Sequence, residues 1–131
     1  MKLTSLLPKK TGDSSVSWHE SRTMSGTRFA IKRISLSERI ELTGRARELT
    51  LRYEFLKSGD ASDQLEAALA DLLVKKLYLE WGLVEIEGLF IDQQPATPEL
   101  LIEKGPEELT DEIIAVLQAE IGLSEEERKN F

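Results

Sequence analysis

The sequence contains no cysteine and only one histidine, His19. The absence of cysteine excludes disulfide frameworks, thiol nucleophiles, Cys-ligated zinc and iron–sulfur clusters. A single histidine excludes a His-rich metal site within one chain. The apolar runs are only a few residues long, whereas a membrane-spanning helix needs about 20. We therefore expect a protein with no membrane segment, no metal and no other cofactor.

Residue types that carry catalysis are also few. His19 lies between Trp18 and Glu20, and no Ser or Asp is placed to orient it, so a polar hairpin position explains it better than a general base. The glycines are isolated, and none forms a phosphate-binding loop with an adjacent lysine. The C-terminal acids lack the spacing of a calcium loop, and most fall in first helical turns, where the helix dipole favours them. We expect no enzymatic activity.

Charge is abundant and unevenly distributed along the 131 residues. Residues 1–47 carry ten Lys or Arg and four acids, a net charge of +6, and residues 48–131 carry a net −13. Such a basic head can bind an acidic partner or nucleic acid, or it can fold onto the acidic body so that the charges partly neutralise. Because the bases are scattered and accompany no recognition helix or stacking motif, we do not expect nucleic acid to be the partner.

The N-terminal part predicts an arm followed by a β-hairpin. Residues 1–15 show little periodicity and are interpreted as a flexible N-terminal arm; their apolar stretch is too short for a signal peptide, so we expect a cytoplasmic protein. Residues 16–34 form two alternating runs around a Met-Ser-Gly turn, which predicts a hairpin. Because a lone hairpin is marginal in water, its apolar side needs cover. Residues 16–131 are expected to form one domain.

Residues 35–81 predict two long helices. The first opens at a capping box made by Ser35 and Glu38. Its apolar residues then recur at helical spacing: Leu42, Ala46, Leu49, Tyr53 and Leu56. Residues 58–60 end this helix and cap the second. In the second helix we expect these leucines to face inward: Leu65, Leu69, Leu72, Leu73 and Leu77. Two such helices joined by a short turn form an antiparallel pair.

The last part, residues 82–131, predicts a short β-ribbon and small helices. Residues 83–92 have the composition of a strand or bent ribbon. Thr97, followed by proline, begins a short helix that ends at Gly105, and two further helical segments follow, the last at 124–131. The whole pattern predicts an α+β, mostly α-helical fold with an N-terminal β-hairpin, a long antiparallel helix pair, a short β-ribbon and small C-terminal helices.

A series of short motifs occurs in fixed order along the chain. They are RIS at 33–35, RIEL at 39–42, YLEWGL at 78–83, IEGLFID at 86–92, PATP at 95–98, GPEEL at 105–109, EI at 112–113 and GLSEEERKN at 122–130. Over residues 28–131 these motifs resemble small proteins of tailed bacteriophages and prophages, in particular the tail assembly chaperone class encoded near the tail-tube and tape-measure genes. The motifs are patterns of order and spacing and contain no catalytic signature.

The resemblance implies a non-catalytic role in a bacterial host cell. Tail assembly chaperones coat the long tape-measure protein while tube subunits polymerise around it, and they are absent from the finished tail. The implied partners are therefore the tape-measure or tail-tube protein, and self-association is left open. A structural virion or tail adaptor that stays in the particle is one alternative. A small nucleic-acid-associated regulator that uses the basic N-terminal part is another.

Partner contacts are expected at aromatic and basic positions of the hairpin and around the ribbon. The candidate partner-binding residues are Trp18, Arg28, Phe29, Arg33, Arg39, Trp81 and Phe90. For the two aromatics that flank the ribbon, a buried role competes with a role as partner anchors. No residue is assigned to catalysis, to a cofactor or to a metal.

Overall fold

The computed structural model describes residues 15–121. Within them the elements are, in chain order, β1 (Val16–Glu20), β2 (Arg28–Lys32), α1 (Leu36–Leu56), α2 (Ala61–Gly82), β3 (Leu83–Glu87), β4 (Phe90–Ile91), β5 (Gln94–Pro95), α3 (Pro98–Lys104) and α4 (Glu107–Ile121). The predicted α+β, mostly helical fold is confirmed, with its N-terminal hairpin and its helix pair. The predicted arm, apart from Ser15, and the helical segment predicted at 124–131 lie outside the described residues.

The ribbon predicted at 83–92 is divided between two sheets. Its first half, β3, joins the N-terminal hairpin in an antiparallel sheet of order β1-β2-β3, in which Phe29 lies opposite Ile86. Its second half belongs to a separate small hairpin, β4 with β5. The third strand supplies the hydrogen bonds and apolar cover that a two-stranded hairpin lacks. Such pairing between distant segments leaves no local signal in the sequence.

Local caps begin both long helices, and one of them is also bonded to the sheet. The Ser35 hydroxyl accepts a hydrogen bond from the Glu38 amide at 3.1 Å, and the Glu38 carboxylate accepts one from the Ser35 amide at 3.0 Å. The Lys32 ammonium also donates to Glu38, and together these donors lower the pKa of that carboxyl to about 2. Asp60 caps α2 by accepting from the Asp63 amide at 2.9 Å. The predicted capping box and the predicted second cap are both confirmed.

The hydrophobic core lies at one end of the helix pair, where the sheet, α3 and α4 pack together. The predicted apolar face of α4 supplies three completely buried side chains: Leu109, Ile113 and Leu117. From the helix pair the core cluster takes only Leu42 and Leu79 as buried members, and no residue of 43–76 belongs to it. We refer to residues 43–76 as the outer helix pair.

A single carboxylate fixes the turn between β1 and β2 to α4. Glu112 accepts hydrogen bonds from the Ser21 hydroxyl at 2.7 Å, the Arg22 amide at 2.6 Å and the Thr23 hydroxyl at 2.8 Å. Partial burial disfavours its charge, but the donors outweigh this effect and hold the pKa of the Glu112 carboxyl below its usual range. The turn is therefore anchored most firmly when Glu112 is ionised.

Replacing Glu112 by glutamine is expected to lower the free energy of unfolding by about 1 kcal/mol at pH 7, because an amide group is a weaker acceptor for the donors of Ser21, Arg22 and Thr23. A group whose folded-state pKa is depressed contributes stability above its unfolded pKa of about 4.3, and this contribution disappears as the pH falls through the folded value. Urea unfolding of wild type and variant should therefore differ at pH 7 and converge in acid. Glu108→Gln, an exposed change on the same helix, is the control; a constant difference at all pH values would contradict the charge-based explanation.

Candidate interaction surfaces

The outer helix pair is held together mainly by small side chains. Within residues 43–76 the buried residues are alanines: Ala46, Ala67 and Ala70. On α1, the larger residues of the seam with α2 are only half-buried: Leu49, Tyr53 and Leu56. Because hydrophobic stabilisation grows with the apolar area removed from water, this seam contributes little per residue. The outer helix pair is thus weakly packed along its length.

The prediction that the leucines of α2 face inward is wrong for three of the five: Leu65, Leu69 and Leu72. Leu65, Leu69 and Leu72 recur at intervals of four and three residues, so they share one face, and that face is exposed: Leu65 retains 73% of its accessible surface. It lies on the opposite side of the helix from Ala67 and Ala70. The two remaining predicted positions are half-buried: Leu73 and Leu77. Because α2 has two apolar stripes, periodicity alone does not identify the one that contacts α1.

Helix α1 also carries a second apolar stripe. Its inner stripe contacts α2 as predicted, while four large side chains on the opposite side are exposed: Leu36, Ile40, Leu51 and Phe55. Phe55 is 85% exposed. We call these four residues the α1 outer face, and Leu65, Leu69 and Leu72 the α2 outer face. A helix that is apolar on two sides is typical of a helix packed between two neighbours. Among residues 15–121, α2 is the helix that packs along α1.

The hairpin residues predicted to bind a partner have different environments. Phe29 is completely buried in the core, so it offers no surface to a partner and we exclude it from the contact surface. Trp18 is 38% exposed, and the Arg28 guanidinium lies 4.2 Å from its ring centroid. The same guanidinium pairs with Glu87 at 3.1 Å. Trp18 and Arg28 thus form one partly exposed cluster on the sheet.

The other predicted contact residues are dispersed. Trp81 is half-buried beside the core, with the Arg45 guanidinium 5.7 Å from its ring. Phe90, on β4, is largely exposed. Arg33 and Arg39 are exposed and form no ion pair with any residue in the range 15–121. The sequence patterns assigned the α2 outer face to the interior and did not identify the α1 outer face. Both faces are exposed.

His19 lies on the sheet, where its ring contacts neighbouring side chains. His19 stacks on Phe29 at 5.6 Å between ring centroids and hydrogen-bonds to the Ser17 hydroxyl at 2.9 Å. Between residues 15 and 121 no three Asp, Glu or His side chains are grouped so that they could hold a metal ion. Over the same range no helix combines the length and the apolar content needed to cross a membrane. No protein-family model, curated protein or solved structure matches the chain.

Proposed function

We propose that this protein is a non-catalytic, tail assembly chaperone-like protein of a phage or prophage. It binds the tape-measure or tail-tube protein in the cytoplasm of the bacterial host during tail morphogenesis. One observation carries the proposal: α1 and α2 place alanines between themselves and leave leucines and a phenylalanine in water. Contiguous exposed apolar side chains with charged surroundings are typical of surfaces that bind another protein.

The shape of the outer helix pair suits a helical client. The α1 outer face and the α2 outer face lie on opposite sides of the two packed helices. Leu51 and Phe55 of the α1 outer face belong to the outer helix pair, and Leu36 and Ile40 precede it on the same helix. An amphipathic helix can pack along either face with its own apolar side chains in the grooves between successive turns. Burial of each leucine or phenylalanine then contributes to binding in proportion to the area removed from water. The net charge of −7 helps to keep the resulting complexes dispersed.

Part of the basic charge that the nucleic-acid alternative needs is already neutralised within the fold. Arg28 pairs with Glu87, and Arg45 pairs with Glu41 at 3.0 Å. Lys32 is bonded to Glu38. Nucleic-acid binding draws its affinity from cations that neutralise phosphates, and these three already have acidic partners within the fold.

Co-expression with the tape-measure and tail-tube proteins of the same phage or prophage tests the proposal. We expect a stable complex with the tape-measure protein after affinity purification, a higher yield of that protein in the cell supernatant, and absence of this chain from purified tails. Detection of this chain in purified tails would favour the adaptor. Capture of neither protein would contradict a chaperone role.

A further inference from the structure

A second surface, independent of the helix pair's outer faces, lies where α2 ends and β3 begins. It is an open groove of about 670 Å³ between this junction and α3. Its floor is apolar and includes Leu83, Val84 and Ile102, and Val84 is 45% exposed. An apolar segment that binds in this groove would therefore remove apolar surface from water, which favours binding.

The rim of this groove is acidic and poorly compensated. It carries Glu80, Glu99 and Glu103. In the described part of the chain neither the Glu99 nor the Glu103 carboxylate has a hydrogen bond or an ion pair, and the Glu80 carboxylate is approached only by the Lys76 ammonium at 3.8 Å. The nearby Lys104 points to Asp92, which it binds at 2.8 Å. An occupant that combines lysines with leucines would match both the rim and the floor.

We propose that residues 1–10 of the same chain occupy this groove. Their sequence, MKLTSLLPKK, contains three lysines, three leucines and no acid. Leu3, Leu6 and Leu7 would contact the apolar floor, and Lys9 and Lys10 would lie against the glutamates of the rim. In this contact, lysines of the basic N-terminal part would neutralise glutamates of the acidic part of the chain.

The positions of the strand ends allow this contact. The Ser15 carbonyl accepts a hydrogen bond from the Arg33 amide at 2.9 Å, which places residue 15 at the same end of the sheet as Leu83, the partner of Ile31. β1 and β3 are separated by two strand spacings, about 10 Å. Residues 11–14 span up to about 14 Å when extended, so residue 10 can reach the groove while β1 remains paired.

Paramagnetic relaxation in the full-length protein tests the contact. Since the chain has no cysteine, Ser5→Cys creates a single site for a nitroxide label. The isotope-labelled, nitroxide-bearing protein is diluted with protein that carries neither label, so that relaxation between molecules is suppressed. We then expect strong broadening of the Val84 and Ile102 amide signals. Charge reversal of the arm (Lys9→Glu with Lys10→Glu) or of the rim (Glu99→Lys with Glu103→Lys) should lower the ratio of docked to free arm roughly tenfold.

Combining the two reversals restores the attraction with the signs exchanged, so the broadening should return. The matched control, Glu108→Lys with Glu120→Lys, changes the charge equally on α4 and should leave the broadening unchanged. Circular dichroism and the urea midpoint verify that each variant is folded. Three results would overturn the proposal. They are absence of broadening, equal broadening in all variants, and broadening that arises only from a nitroxide on another copy of the protein.

Discussion

Binding of the proposed client, the tape-measure protein, is expected to weaken by at least about 30-fold when Phe55, Leu65 and Leu69 are all replaced by serine. Removing a large apolar side chain from the centre of an interface typically costs more than 1 kcal/mol of binding free energy, and 1.4 kcal/mol corresponds to a tenfold change in Kd. Because these side chains are exposed in the free protein, each substitution should change the free energy of unfolding by less than about 0.5 kcal/mol. Titration of the purified variant against an immobilised tape-measure segment measures the loss.

A matched variant separates the outer faces from the helices that carry them. Thr43, Thr50 and Asp71 are exposed polar residues of the same two helices outside the outer faces, and their replacement by serine should leave binding unchanged. An equal loss of binding in this control would show that the effect is not specific to the apolar stripes. A marked fall in the melting temperature of the leucine–phenylalanine variant would show that these side chains stabilise the folded monomer instead.

Phe29→Ala is expected to lower the free energy of unfolding by about 3–5 kcal/mol, whereas Trp18→Ala should cost about 1 kcal/mol. Phe29 is completely buried between the sheet and the helices, so its truncation loses both transfer free energy and packing around the resulting cavity. Trp18 is partly exposed and loses mainly its stacking contact with Arg28. Urea denaturation followed by circular dichroism compares the two variants.

The two outcomes also distinguish core residues from contact residues on the hairpin. If both substitutions had equally small effects, Phe29 would not be a core residue and would return to the candidate contact surface. If Trp18→Ala folded normally but bound the tape-measure protein less tightly, the hairpin would contribute to the interface along with the outer faces.

The features that the sequence predicted correctly are those that depend on near neighbours. The capping box of Ser35 and Glu38, the cap at Asp60 and the start of α3 at Thr97 each involve residues three positions apart. The buried face of α4 follows from a single apolar stripe with no competitor. In each of these cases the stabilising contact lies within one helical turn or one helix face, so residue types and spacing are sufficient.

The features that the sequence did not predict depend on distant contacts. The pairing of β2 with β3 joins segments more than fifty positions apart, and Glu112 binds a turn about ninety positions earlier in the chain. The orientation of α2 was predicted wrongly because leucines were expected inside, whereas the alanine stripe contacts α1. Small residues allow a close approach of two helices, but their pattern carries a weaker hydrophobic signal than leucine. The candidate site therefore became visible only when burial was known.

Amide hydrogen exchange, measured on the free chain and on its complex with the tape-measure protein, tests most directly whether the outer helix pair binds the client. In the free chain we expect faster exchange in residues 43–76 than in the core, because this segment contributes no buried residue to the core cluster. On binding, exchange in this segment should slow by at least about tenfold, with little change in the three-stranded sheet. Unchanged exchange in residues 43–76, with protection confined to the sheet or to α4, would contradict a client site on the helix pair.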